Sequence, residues 1–139
     1  MVNYHYEGVA WRMPLEEEVA TWVRMVIEQH GQLLDMINFV FVTDQLLLEL
    51  NQTYLNHDYY TDILSFDYSD GADFLFGDIF ISLDRVAENA ASLGLPFIDE
   101  LHRVMIHGVL HFLGQNDQDE EQRALMRRSE NRALALRMF

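Results

Sequence analysis

The stretch from Asp99 to Asp117 restricts this chain more than any other. It reads as a helix that begins near Asp99, continues to Leu113 and stops at Gly114, where glycine lets the backbone turn sharply. His107 and His111 lie four residues apart within it. Helical residues at that spacing are about 40° apart around the axis and about 6 Å along it, so both imidazoles point the same way and can bind one ion. Asp117, six residues beyond His111, can swing back as a third ligand. Three protein ligands leave one tetrahedral position open to water, the layout of a catalytic rather than a structural metal site. The competing account is that each histidine is an ordinary half-buried polar group.

Around this helix the chain alternates short apolar runs with amphipathic ones. Residues 2–6 read as a short edge strand. Leu15, Val19, Trp22, Val23, Val26 and Ile27 have the spacing of a helix over residues 15–29 with one buried face. Pro14 suits its first turn, Glu16, Glu17 and Glu18 favour its N-terminus, and Gly31 is its stop. Residues 36–42 form a buried strand, and Thr43 or Asp44 caps a helix over 46–54. Residues 63–68 and 78–83 are strands, joined through Ser69-Asp70-Gly71-Ala72-Asp73 as an irregular hairpin. Asp67, Asp70 and Asp73 do not follow EF-hand spacing and belong to a solvated turn. Asp84 opens a helix to about residue 93, ended by Gly94 and Pro96, and a last helix spans about 120–137 with acids early and arginines late. The order β, α, β, α, β, β, α, α, α predicts one domain over residues 1–139. Its class is α+β (mixed α/β), a small, mostly parallel sheet of about four strands with helices around it.

Composition sets the chemistry available. There is no cysteine, which excludes disulfides and thiolate metal sites and fits a reducing cytosol. The first twenty residues lack a basic start followed by an apolar run, and no stretch is long and apolar enough for a membrane span, so a soluble chain is expected. The formal charge of −14 argues against a generic nucleic-acid-binding surface. All nine basic residues are arginine, the better residue for bidentate phosphate contact, but against 23 acids any such site must be local. A confined basic groove, or a large partner that supplies positive charge, is the expectation.

The two-histidine helix is of the zincin type, similar to the H-E-x-x-H segment of metalloproteases, in which the glutamate is the general base. Here that position is Gly108, so a peptidase would need a base from elsewhere. The sequence more closely resembles the YbeY family, whose signature is H-G-x-L-H-x-x-G-x-D-H. His107, Gly108, Leu110, His111 and Gly114 match it, and upstream Leu50, Asn51, Tyr54, Asp58, Thr61-Asp62-Ile63-Leu64-Ser65-Phe66 and Gly77-Asp78-Ile79 match two further motifs in order. The resemblance covers residues 50–130. It implies a zinc-dependent, single-strand-specific endoribonuclease acting in the cytoplasm in rRNA processing (16S rRNA 3′-end maturation) and ribosome quality control. Its partners would be single-stranded rRNA and the ribosome or ribosomal proteins. A ribosome-associated assembly factor with a structural metal is the third reading.

Departures from the family pattern matter. Asp117 stands where the family has its third histidine. A carboxylate ligand hardens the site and weakens discrimination of Zn²⁺ against Mn²⁺ or Ni²⁺. Asp119 is a less favoured substitute. The family's arginine and lysine in the upstream motif are Leu55 and His57 here. Arg103, one turn before His107, is the candidate catalytic residue for holding phosphate; its alternative is a surface ion pair with Asp99 or Glu100. Asp62 is the candidate that orients a metal ligand, or else caps a turn. His102 reads as structural, His30 as a helix-end residue and His57 as a solvated loop residue. Phe39, Phe41, Phe66, Phe80 and Phe112 read as core, and Arg127, Arg128, Arg132 and Arg137 either meet RNA or carry ordinary helix-end charge.

Overall fold

The apolar run ending at Val42 becomes the spine of the sheet. A computed structural model of the chain describes residues 1–57, 60–71 and 73–139, so Asp58 of the upstream motif and Ala72 of the hairpin turn lie outside the described residues. Its elements are β1 (Val2–Glu7), α1 (Glu16–Gln29), β2 (Leu33–Val42), α2 (Asp44–Leu55), β3 (Ile63–Asp67), β4 (Phe74–Ser82), α3 (Leu83–Leu93), α4 (Phe97–Phe112) and α5 (Glu120–Ala135). The strand order is β1-β2-β4-β3. β1 and β4 pair with β2 in parallel, and β3 closes the far edge antiparallel to β4. This is the mostly parallel four-stranded sheet expected, with β1 at an edge.

β2 is covered on both faces, which is why it reads as one continuous apolar run. Ile37, Phe39 and Phe41 point into the main core with α1, α4 and α5, where Trp22, Leu101, Met105 and Ile106 are also fully buried. Val40 and Val42 point the other way and meet Leu47 of α2 and Leu64 of β3. Of the five phenylalanines expected in the core, Phe39, Phe41 and Phe112 are buried there, while Phe66 and Phe80 are partly buried against the smaller cluster.

Several boundaries differ from the sequence reading. β4 begins at Phe74 and β2 at Leu33, because Leu33–Phe74 and the following pairs extend the ladder past a bulge between Leu34 and Met36. Exposed Leu33 and Phe74 gave no alternation signal there. Pro14 lies outside α1, whose start is marked by Leu15 in a left-handed conformation at φ 56°. Ser82, not Asp84, caps α3, its hydroxyl accepting from Arg85 N at 3.1 Å. Thr43 caps α2 in the same way.

Two glycines let α4 lie close on the sheet. A Cβ on Gly108 of α4 would sit 2.9 Å from Ile63 Cδ1 and 3.0 Å from Ile79 Cδ1. A Cβ on Gly77 of β4 would sit 2.6 Å from the Phe66 carbonyl oxygen and 2.8 Å from the Phe112 ring. Among the described residues no helix is long and apolar enough to cross a membrane.

Candidate metal centre

α4 buries Leu101, Val104, Met105, Gly108, Val109 and Phe112 and leaves His107 and His111 half-exposed along its rim. The helix ends in a Schellman turn: Gly114 N donates to His111 O at 3.0 Å and Gln115 N to Leu110 O at 3.0 Å, with Gly114 at φ 96°. That turn sends the chain back across the rim and brings Asp117 to the two imidazoles. The connection is held by α5. Asp119 caps α5 by accepting from Gln122 N at 2.7 Å, while the Gln122 side chain accepts from Gln118 N at 2.9 Å. Asp119 is therefore committed to the helix.

His107 Nε2 and His111 Nε2 are 3.0 Å apart, and Asp117 Oδ2 lies 3.3 Å from the first and 3.5 Å from the second. An ion bound tetrahedrally at about 2.0–2.1 Å has its ligand atoms about 3.3–3.4 Å apart. The three donors thus outline one face of a tetrahedron, and the group can hold a metal ion.

The protonation pattern agrees. Glu130 Oε2 lies 2.6 Å from His107 Nδ1, so the ring proton sits on Nδ1 and the Nε2 lone pair faces the shared point. Burial disfavours charge on His107, yet Glu130, Asp117 and Asp62 outweigh it and raise its pKa above the ordinary imidazole value. The carboxylates that favour a proton at this position favour a cation as well.

A cleft of about 340 Å³ opens beside these donors, lined in part by Asp62, Glu100, Arg103, Arg123, Arg127 and Glu130. Arg103 is not a surface residue. It is largely buried and donates to Glu130 Oε1 at 3.2 Å and Asn131 Oδ1 at 3.0 Å, and it lies 3.7 Å from Glu100. Of its two expected carboxylate partners only Glu100 is met, because Asp99 is taken by Arg137 at 3.0 Å. Asp62 faces the cleft, where burial raises its carboxyl above the usual range, and Asn89 donates to it at 3.5 Å. The ligand-orienting contact belongs to Glu130, which sequence reasoning missed.

A family model for Endoribonuclease YbeY matches residues 7–137. The chain belongs to the YbeY endoribonuclease family. It is 46% identical over 136 residues to an Endoribonuclease YbeY of Bacteroides thetaiotaomicron, covering 98% of each chain. It is equally similar, at 46% over 136 residues, to that of Flavobacterium psychrophilum, covering 98% of this chain and 96% of the relative. Among solved structures, a Thermotoga maritima protein determined in solution aligns with TM-score 0.69 and 25% identity over 96% of this chain and 87% of its own.

Within this YbeY fold the remaining sequence candidates fall into place. His102 is structural: it is buried and its Nδ1 accepts from Arg137 Nη1 at 2.8 Å. Burial and Arg137 push its pKa down to about 4. His30 Nδ1 lies 2.9 Å from Val26 O at the end of α1. Leu55, in the place of the family's arginine, is exposed at the end of α2 and is not among the residues lining the cleft. Arg137 lies beyond α5, which ends at Ala135. Glu130 had one legible signal: it interrupts the buried stripe Met126, Glu130, Ala133 on an otherwise polar helix.

Proposed function

We propose that this chain is a metal-dependent endoribonuclease that cuts single-stranded RNA in rRNA processing, at the 3′ end of 16S rRNA, and works in the cytoplasm in contact with the ribosome. The observation that carries the reading is the triangle of His107, His111 and Asp117, with edges of 3.0–3.5 Å, opening onto an arginine-bearing cleft. Zn²⁺ is the proposed ion, with Mn²⁺ or Ni²⁺ accepted because Asp117 hardens the donor set. When bound, such an ion polarises a phosphoryl oxygen and acidifies a bound water.

The protein's own part is orientation. Glu130 fixes the His107 tautomer by accepting from Nδ1–H. Arg103 holds Glu130 in place and is a positioning residue. Asp62 does not touch His107 and acts on it only through charge. The peptidase alternative lacks its general base: the position of a protease's glutamate is Gly108, packed against Ile63 and Ile79.

The test compares wild type with His111→Ala on a single-stranded oligoribonucleotide and on casein, each with bound metal measured. Chelator-sensitive RNA cutting that the variant loses supports the reading. Casein digestion, or a tightly bound metal with ribosome co-sedimentation and no cutting, refutes it.

A further inference from the structure

We infer that Arg123 and Arg127 of α5, rather than Arg103, form the phosphate clamp of this site; the inference rests on the endoribonuclease reading above. Three arginines line the cleft, and they are not equivalent. Arg103 is largely buried, with Nη1 donating to Glu130 and Asn131 and Nε held 3.7 Å from Glu100 rather than facing the cleft mouth as an exposed cation. Arg127 has a 60% exposed side chain and only a 3.9 Å approach to Glu130. Arg123 is exposed, donates one bond to the Gln118 carbonyl at 3.2 Å, and makes no ion pair among the described residues.

Their spacing brings them together. Residues 123 and 127 are one helical turn apart, so two like charges share the face of α5 that looks into the cleft. Such a like-charge pair weakens a helix unless an anion sits between them. In a chain of net charge −14 that placement calls for a ligand.

Charge counting gives the same answer. The cleft holds four carboxylates (Asp62, Glu100, Asp117, Glu130) and three guanidiniums, a formal −1. A divalent ion brings it to +1, which attracts a phosphodiester. Without Arg123 and Arg127 the loaded cleft would stand at −1 and repel one. The clamp also replaces what the upstream motif lacks, since Leu55 and His57 supply no guanidinium. Planar guanidiniums suit the two non-bridging oxygens of a phosphate, or of two successive phosphates along a single strand.

The experiment uses the metal-loaded full chain and a fluorescent oligouridylate, with Arg123→Ala, Arg127→Ala, the double variant and Arg128→Ala. Arg128 is exposed on α5 and does not line the cleft, so it carries the same charge change without the contact. Binding is measured against salt concentration, alongside metal affinity and Tm. Two lost phosphate contacts should lower the salt slope of log K by about 1.4 for single-stranded RNA. The double variant should raise KM at least tenfold, with metal affinity and Tm at wild-type values, Arg128→Ala unchanged, and the two Arg→Lys variants partly restored. The inference is overturned if wild type cuts RNA and the double variant keeps its salt slope. It is also overturned if Arg128→Ala weakens binding as much, or if Arg123→Ala acts by losing metal. A wild type that neither binds nor cuts the RNA refutes the endoribonuclease reading itself.

Discussion

Glu130→Gln isolates one hydrogen bond at the metal centre. The glutamate is buried, with Oε2 at 2.6 Å from His107 Nδ1 and Oε1 at 3.2 Å from Arg103. Glutamine keeps the volume and one acceptor but removes the charge. Loss of such an outer partner costs roughly 10–100-fold in metal affinity, about 1.4–2.7 kcal/mol. A second route gives a compatible figure: exchanging a charge-assisted bond for a neutral one loses about 1–1.5 kcal/mol. Glu130 is also the main reason the His107 pKa is raised, so the variant's imidazole releases its proton more readily. That effect opposes the loss at acidic pH, where wild-type His107 is already protonated and metal must displace the proton. The full deficit is therefore expected at about pH 8 and should shrink below neutrality. Competition with a chromophoric zinc chelator at several pH values reads it directly. A folded variant with wild-type affinity at pH 8 would refute the claim that Glu130 orients the ligand.

Other substitutions test other parts of the argument. Gly77→Ala should destabilise the fold by about 2–3 kcal/mol, because its Cβ meets the Phe66 backbone and the Phe112 ring. Gly108→Ala should cost less, since its contacts are side-chain methyls and alanine regains about 1 kcal/mol of helix propensity; chemical denaturation of both variants checks the order. His102 is held neutral, its pKa lowered to about 4, so the unfolded chain takes up a proton below about pH 6.5 that the folded chain does not. Its contribution is complete above pH 6.5 and falls by up to about 3 kcal/mol as pH drops towards 4. The Tm gap between wild type and His102→Asn should narrow over that range, and a gap independent of pH would contradict the assignment. Asp117→His should retain bound metal by elemental analysis; complete loss would mean that the third donor is misplaced.

The pair His107 and His111 was legible because a helix fixes the angle between residues four apart, and Gly114 announced the turn that returns Asp117. The small, mostly parallel sheet was legible from the alternation of strands and helices, whereas its strand order, β1-β2-β4-β3, was not. What could not be read was whatever depends on partners distant in sequence. Glu130 meets His107 only because α5 packs on α4, and nothing local distinguishes it from the other acids of the last helix except its place in the Met126–Ala133 stripe. Arg103 looked available because its neighbours in sequence are Asp99 and Glu100, yet Asp99 goes to Arg137 and the decisive carboxylate comes from 27 residues away. The start of β4 was hidden for the same reason: Phe74 joins the ladder through Leu33, not through any pattern of its own.

The donors sit on α4 and on the loop before α5, while the carboxylate gripping His107 belongs to α5 itself. Loading an ion and seating the C-terminal helix are therefore coupled through Glu130, beside the apolar contacts that Met126 and Ala133 make with the core. With an ion held there, peeling α5 away should weaken its binding and removing the ion should loosen α5, so protease nicking near residue 118 and chelation should each promote the other.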